Sequence, residues 1–373
     1  MAQQYRAIVI GCGAVGAATT YWLSRRLGGS VLALEQYQHG HSRGASEDHS
    51  RVIRHAYSRP EYTALTPAAY QSWNVAERGT GLQLVYRTGG LILAEDGSVG
   101  AGYITAAADA MATANLPFEQ LTGTEVMRRW PQWQLGSEHI ALARDRGAMI
   151  LPNAEVTAIT ESADCVKVTA AGEDYSAGRV VLAGGAWNPL LLGMLGTQLP
   201  ITLTEEQVTY FATPKVAQFT PDRFGVYGYL ADDGLYYGFP IYGEVATKIG
   251  IDGAGPVVTP ERRTFARDEA RVDRVLAFLE RYLPQAVGPE LYTRTCCYDF
   301  APDRDFITDY VPGSQRVLVC AGAGHAGKFA ALLGRILSEL ALDDSSRFPV
   351  SAFSATRPAL TNATKIPSRV NSM

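Results

Sequence analysis

Ala7-Ile-Val-Ile-Gly11-Cys-Gly13-Ala-Val-Gly16 joins an apolar run to three glycines spaced G-x-G-x-x-G. Ala7 to Gly11 is a short apolar run rich in β-branched residues, as in a strand buried on both faces of a parallel sheet. Ala17 to Leu27 reads as a helix that Gly28-Gly29 can end. Ser30-Val-Leu-Ala-Leu-Glu35 is a second strand, and its terminal acid stands nineteen residues after Gly16. In such a unit Gly11 permits the tight turn, Gly13 lets backbone approach a pyrophosphate, and Gly16 lets helix and strand pack closely. The helix amino terminus offers unpaired N–H groups and a positive dipole end to the phosphates. Glu35 can accept hydrogen bonds from ribose hydroxyls, and its charge disfavours a 2′-phosphate. A bare G-x-G-x-x-G is weak, but strand, helix and acid in register point to a dinucleotide. This segment does not separate FAD from NAD.

The remaining composition sets bounds. A length of 373 residues suggests two domains, at about 150 residues each. Charged residues at 19% and apolar residues at 47% suit a chain with a large core, which excludes disorder, collagen and coiled coil as global descriptions. The net charge of −4, without long runs of one sign, argues against a nucleic-acid partner. No apolar stretch is long enough for a membrane span, and the opening residues lead straight into a strand without the pattern of a signal peptide. Five cysteines, two of them adjacent, form neither a disulfide framework nor zinc spacing. A soluble cytoplasmic protein without a metal site is expected.

Farther along, Gly44-x-Ser46-x-x-x-Ser50-Arg51-x-Ile53-Arg54-x-x-Tyr57 places two arginines three apart. On a helical turn both would project from one face. By composition alone this is a solvated basic turn pairing with Glu47 and Asp48. Three further stretches change that weighting: Leu235-Tyr-Tyr237-Gly-Phe-Pro240 with Lys248-Ile-Gly250, Thr295-Cys296-Cys-Tyr298-Asp-Phe-Ala-Pro302-Asp303, and Gly322-Ala-Gly324-His325-Ala-Gly327-Lys328-Phe. In combination and order they resemble the monomeric sarcosine oxidase family of flavin amine oxidases.

The resemblance implies FAD, attached covalently through Cys296, and a Rossmann-like α/β domain interleaved with a mixed-sheet substrate domain. It implies Arg54 and Lys328 as a clamp for a substrate carboxylate, with Tyr237 lining the pocket. It makes Lys248 the cation that activates oxygen, with Arg51 near the flavin on its other side. Ser42, Gly322, Gly324, His325 and Gly327 join Gly11, Gly13, Gly16 and Glu35 as cofactor contacts. The implied activity is oxidation of a secondary amino acid, N-methyl or cyclic, to an imine, with oxygen reduced to hydrogen peroxide. A dehydrogenase, an oxidase of primary or sugar-linked amines, and a catalytically impaired FAD-binding relative remain as alternatives. A monomer acting on a small amine substrate, with neither nucleic acid nor membrane as partner, is expected.

The local chemistry agrees in part. Arginine's planar fork suits a carboxylate. Val245 to Ile251 alternates as a strand that puts Ala246, Lys248 and Gly250 on one face, leaving room for a flat ring. A surface lysine at a sheet edge would show a similar pattern. Val317 to Ala321 reads as a strand, followed by a glycine-rich turn and a helix opened by Lys328. Two departures stand out. Asp252 occupies a position where the family often has His, which puts sarcosine itself in doubt as substrate. The join at His139 to Ala148 suggests the loss of a strand and most of a helix. The expected division gives residues 1–81, 134–199 and 291–373 to the FAD-binding domain, and 82–133 and 200–290 to the substrate domain. Arg262 to Tyr282 reads as an amphipathic helix, with Phe265 on its apolar side.

Overall fold

The computed structural model describes residues 3–38, 41–136, 139–142 and 155–361. Strands along the chain are β1 Gln3–Ile10, β2 Val31–Leu34, β3 Gly90–Glu95, β4 Gln120–Thr122, β5 His139–Leu142, β6 Val156–Glu161, β7 Val166–Ala170 and β8 Glu173–Leu182. They continue as β9 Thr202–Ala212, β10 Val226–Ala231, β11 Gly234–Phe239, β12 Ala246–Asp252, β13 Val257–Val258, β14 Glu290–Phe300, β15 Ile307–Tyr310 and β16 Val317–Ala321. Helices are α1 Ala14–Leu27, α2 Pro60–Thr80, α3 Val99–Thr113, α4 Gly123–Arg129, α5 Asn188–Met194, α6 Glu269–Tyr282, α7 Ala330–Asp343 and α8 Pro358–Thr361. Two mixed sheets result, in the α/β class that the sequence suggested.

The first sheet runs β15-β16-β8-β1-β2, with β7 on β8 and β6 on β7. Its centre is parallel: β1 pairs with β2 and β8, and β16 with β8. Both faces of the second half of β1, Ala7 to Ile10, are covered, which is why that half is continuously apolar. Val9 faces a core with Leu332, Leu333 and Ile336 of α7. Ile8 and Ile10 face a second core with Val168 and Leu192.

The second sheet runs β13-β9-β12-β11-β10-β3-β5-β4, with β14 on β9. Parallel pairing of β3 with β10 makes it mixed. Alternation along β11 separates its two faces. Tyr236 stacks on Phe278 of α6 at 4.6 Å between ring centroids, whereas Tyr237 faces the other way.

Several expectations need adjustment. The helix after Gly16 begins earlier, at Ala14, because Gly13 supplies its extended amino-terminal cap. The helix expected from Arg262 starts at Glu269, where the Asp268 side chain accepts from the Arg271 amide. Phe265 lies before it, exposed and with left-handed backbone (φ 55°), and is therefore not on the helix's apolar side. His139–Leu142 and Glu290–Phe300, placed near or inside the expected FAD-binding segments, pair into the second sheet. Most of the suspected join between His139 and Ala148 lies outside the described residues, as does the chain after Thr361. Among the described residues no helix is long and apolar enough to cross a membrane.

Candidate active site

The carboxyl ends of β1, β2, β8 and β16 open on one cavity of about 620 Å³. Crevices at such strand ends are where open α/β sheets bind ligands. Gly11 turns the chain at φ 93°, a conformation that suits glycine. A Cβ on Gly16 would lie 1.8 Å from the Gly11 carbonyl oxygen, so the helix can sit this close only because Gly16 has no side chain. Gly16 itself does not line the cavity; its part is packing. Gly13 faces Ser46, whose Oγ accepts from the Ala14 amide at 2.8 Å. Glu35 is buried at the end of β2, accepts from the Cys12 amide at 2.8 Å and lines the cavity.

The second sheet covers the cavity from above. Lys248 on β12 is flanked by Phe239 of β11 and Tyr210 of β9. Its ammonium lies 4.4 Å from the Phe239 ring centroid and 2.5 Å from the Asp48 carboxylate. This is a central strand rather than an edge, and Lys248 is 4% exposed. Burial lowers its pKa to about 8, opposed chiefly by Asp48. Burial also works against ionisation of Asp48, yet Lys248, Tyr210 and Arg51 together hold its carboxyl below its usual range. The space over Gly250, expected to be open, holds the Tyr237 hydroxyl, 2.8 Å from where a Cβ would stand.

Cys296 on β14 lines the cavity, whereas the adjacent Cys297 packs against Ala186 and Leu203. Strand alternation explains the difference. Burial pushes the Cys296 thiol up to about 12, and Arg51 acts in the opposite direction. Arg51 is anchored by the carbonyls of Ala45, Glu47 and Ser50.

Arg54 and Lys328 line the same cavity. Arg54 is 9% exposed and donates to the Ala56 carbonyl at 2.6 Å and the Tyr103 hydroxyl at 2.9 Å. Its guanidinium also lies 4.5 Å from the Tyr57 ring centroid. Burial and then Arg54 lower the Lys328 pKa to about 7, with Asp252 opposing. Among the described residues neither cation forms a salt bridge. Asp252 is instead paired with Arg304 at 2.5 Å.

The expected residues therefore converge, with exceptions. Ser42 is exposed and outside the cavity wall; its carbonyl accepts from Arg263, and Ser46 takes the place beside the glycine turn. Arg51 and Arg54 lie on irregular backbone and not on a helical turn, because Arg51 is bound to the carbonyls of its own loop. Lys328 belongs to a 3-10 turn, Ala326–Phe329, one step before α7. Gly322, Gly324, His325 and Gly327 all line the cavity. Sequence reasoning did not find the roles of Asp48, Arg304 or Tyr103. Only Ser46 carried a local signal, as the serine of the Gly44-x-Ser46 loop.

These residues fit FAD. The glycine turn leaves a cradle that a Cβ would fill, Glu35 offers a carboxylate for ribose, and a free cysteine borders the same space. No cluster suited to a metal ion occurs among the described residues.

The comparisons with known proteins agree. Residues 6–340 match the family model described as FAD dependent oxidoreductase. The chain is 29% identical to a monomeric sarcosine oxidase of Bacillus sp. (strain B-0618), over 96% of this chain and 98% of that one. It is 31% identical to an N-methyl-L-tryptophan oxidase of Yersinia pestis (strain Pestoides F), over 95% of this chain and 99% of the other. Among solved structures, NikD, an unusual amino acid oxidase essential for nikkomycin biosynthesis, superposes with a TM-score of 0.81 at 26% identity, covering 94% of this chain and 97% of its own.

Proposed function

The chain belongs to the FAD dependent oxidoreductase family, and from that premise we propose that it oxidises a secondary amino acid, N-methyl or cyclic, to an imine while oxygen becomes hydrogen peroxide. The carrying observation is the convergence of Lys248, Cys296, Arg54 and Lys328 on one cavity. Relatives named for sarcosine and N-methyl-L-tryptophan support N-methyl amino acids as the substrate class.

Bound FAD supplies a two-electron acceptor for the hydride leaving the carbon next to the amine. The chain's task is to fix that carbon and keep water out. Arg54 and Lys328 hold the substrate carboxylate, one as a planar fork and the other as a point charge. Tyr237 and Tyr298, whose hydroxyls lie 3.4 Å apart, form part of the wall. Cys296 would be the residue that holds the group covalently, with Arg51 favouring its thiolate form. Lys248 places positive charge where oxygen gains electrons, a form of electrostatic stabilisation. Asp252 lines the pocket as an ion pair with Arg304 rather than as a free charge, and this polar wall, in a place where a histidine is common in the sarcosine oxidase family, leaves sarcosine itself in doubt as the preferred substrate.

One observation favours a second reading. The Asp48 carboxylate at 2.5 Å partly neutralises Lys248, which would suit a dehydrogenase that uses oxygen slowly. A peroxide-coupled screen of N-methyl and cyclic amino acids tests the first reading. Substrate-dependent flavin reduction without peroxide would leave the second.

A further inference from the structure

Beside the main cavity, and sharing Arg54, His325 and Lys328 with it, is a small pocket of about 30 Å³ whose wall is completed by Tyr57, Arg59, Tyr62, Arg304 and Asp305. That volume accommodates one or two water-sized groups. Four of the lining residues are cationic side chains, against one carboxylate, Asp305, which is bound to Arg59. Arg304 also has Asp252 as partner, on the side of the main cavity. Arg54 and Lys328 have no acidic partner among the described residues.

Hydrogen bonding points the same way. The Arg304 Nε donor is buried without a partner, and Arg304 belongs to this wall. His325 Nε2 donates to the Arg304 carbonyl at 3.3 Å, which leaves its Nδ1 as a lone-pair acceptor, so His325 contributes shape and not charge to the wall. Burial holds His325 well below its usual pKa, and Lys328, Arg304 and Arg54 push in the same direction. Buried cations in excess and a buried unpaired donor are costly unless something neutralises them.

We propose that this pocket is an anion subsite that takes a compact monoanion, either the second carboxylate of a dicarboxylic N-substituted amino acid or a free halide. The substrate alternative rests on the proposed function; the halide alternative does not. For a substrate, the first carboxylate would meet Arg54 and Lys328 from the main cavity, and the second would accept from the unpartnered Arg304 Nε in the pocket, sharing Arg304 with Asp252. Charge-assisted hydrogen bonds of this kind give about tenfold discrimination or more against a neutral isostere.

Two measurements on the FAD-loaded enzyme test the subsite. Crystals soaked in bromide are examined for an anomalous peak between Arg59, Arg304 and Lys328. In parallel, kcat/KM is compared for N-methylglutamate and N-methylglutamine. A peak, with or without a preference for the acid, supports the subsite and shows that a free halide reaches it. Preference for the acid by about tenfold or more, without a peak, supports it with the substrate carboxylate as occupant. In either supporting case Arg304→Gln should abolish the signal in folded protein that retains FAD. Neither peak nor preference overturns the proposal. If no amine is oxidised, the proposed function fails while bromide still decides the subsite.

Discussion

Lys248 and Asp48 form a buried ion pair, 2.5 Å from ammonium to carboxylate, that joins the second sheet to the loop preceding Arg51. Asp48 adopts its position with φ at 96°, a backbone state that non-glycine residues seldom occupy and that costs about 1–3 kcal/mol. Tyr210 also donates to the same carboxylate. The ion pair and this hydrogen bond hold the strained residue in place.

Lys248 therefore sets the oxygen step in this account. In Lys248→Met, reoxidation by oxygen should slow by about 10²–10³-fold, the scale for losing one preorganised charge, with a smaller change in anaerobic reduction. Wild-type reoxidation should decline as pH rises through about 8, where Lys248 loses its proton. Asp48 raises that pKa, so Asp48→Asn should move the decline to lower pH. Stopped-flow reoxidation at a series of pH values measures both effects, and an unmoved profile in Asp48→Asn removes its role.

Cys296 and Cys297 are adjacent, yet only Cys296 borders the cavity. Acid-precipitated wild-type protein and Cys297→Ser should keep flavin fluorescence on a denaturing gel. Cys296→Ser should lose it while still binding FAD when folded. Retained fluorescence in Cys296→Ser would rule out the tether.

Carboxylate binding should depend on the protonation of Lys328. Its pKa of about 7 in the free protein leaves it charged below that pH and increasingly neutral above. The affinity of a carboxylate inhibitor should therefore fall as pH rises from about 6 to 8, with bound anion moving the midpoint upward. Arg54→Met should weaken binding by about 10–100-fold, the range for a charge-assisted hydrogen bond. Spectral titration of the oxidised enzyme reads both.

Gly16→Val tests the glycine cradle separately from the chemistry. Its Cβ would fall 1.8 Å from the Gly11 carbonyl oxygen, and backbone cannot yield cheaply there. The variant should lose about 1–3 kcal/mol or more of stability and most of its FAD. Thermal unfolding and the flavin-to-protein absorbance ratio measure the two losses; normal values for both would mean the turn is not packed in this way.

What the sequence disclosed follows from how local each signal is. The β1–turn–α1 unit and Glu35 are written within thirty-five residues, so their geometry could be read directly. Arg54, Lys248, Cys296 and Lys328 sit far apart, and only the combined motifs brought them to one site. The Lys248–Asp48 pair spans two hundred residues and depends on a left-handed backbone angle that an aspartate does not announce. Arg304 meets Asp252 for a similarly non-local reason, and it too has positive φ, at 59°. The late start of α6 has the same origin: Phe265 at φ 55° interrupts a pattern that periodicity alone would continue. Sheet membership was the least legible feature. β14 carries the motif around Cys296 but hydrogen-bonds to β9, a partner that nothing in its own residues specifies.

The most direct test mixes the purified yellow protein, without air, with a panel of N-methyl and cyclic amino acids, and then admits oxygen. The account predicts that at least one secondary amino acid bleaches the flavin band, and that air restores the colour with one hydrogen peroxide formed per bleached flavin. Colour that no secondary amine in the panel can bleach would contradict it.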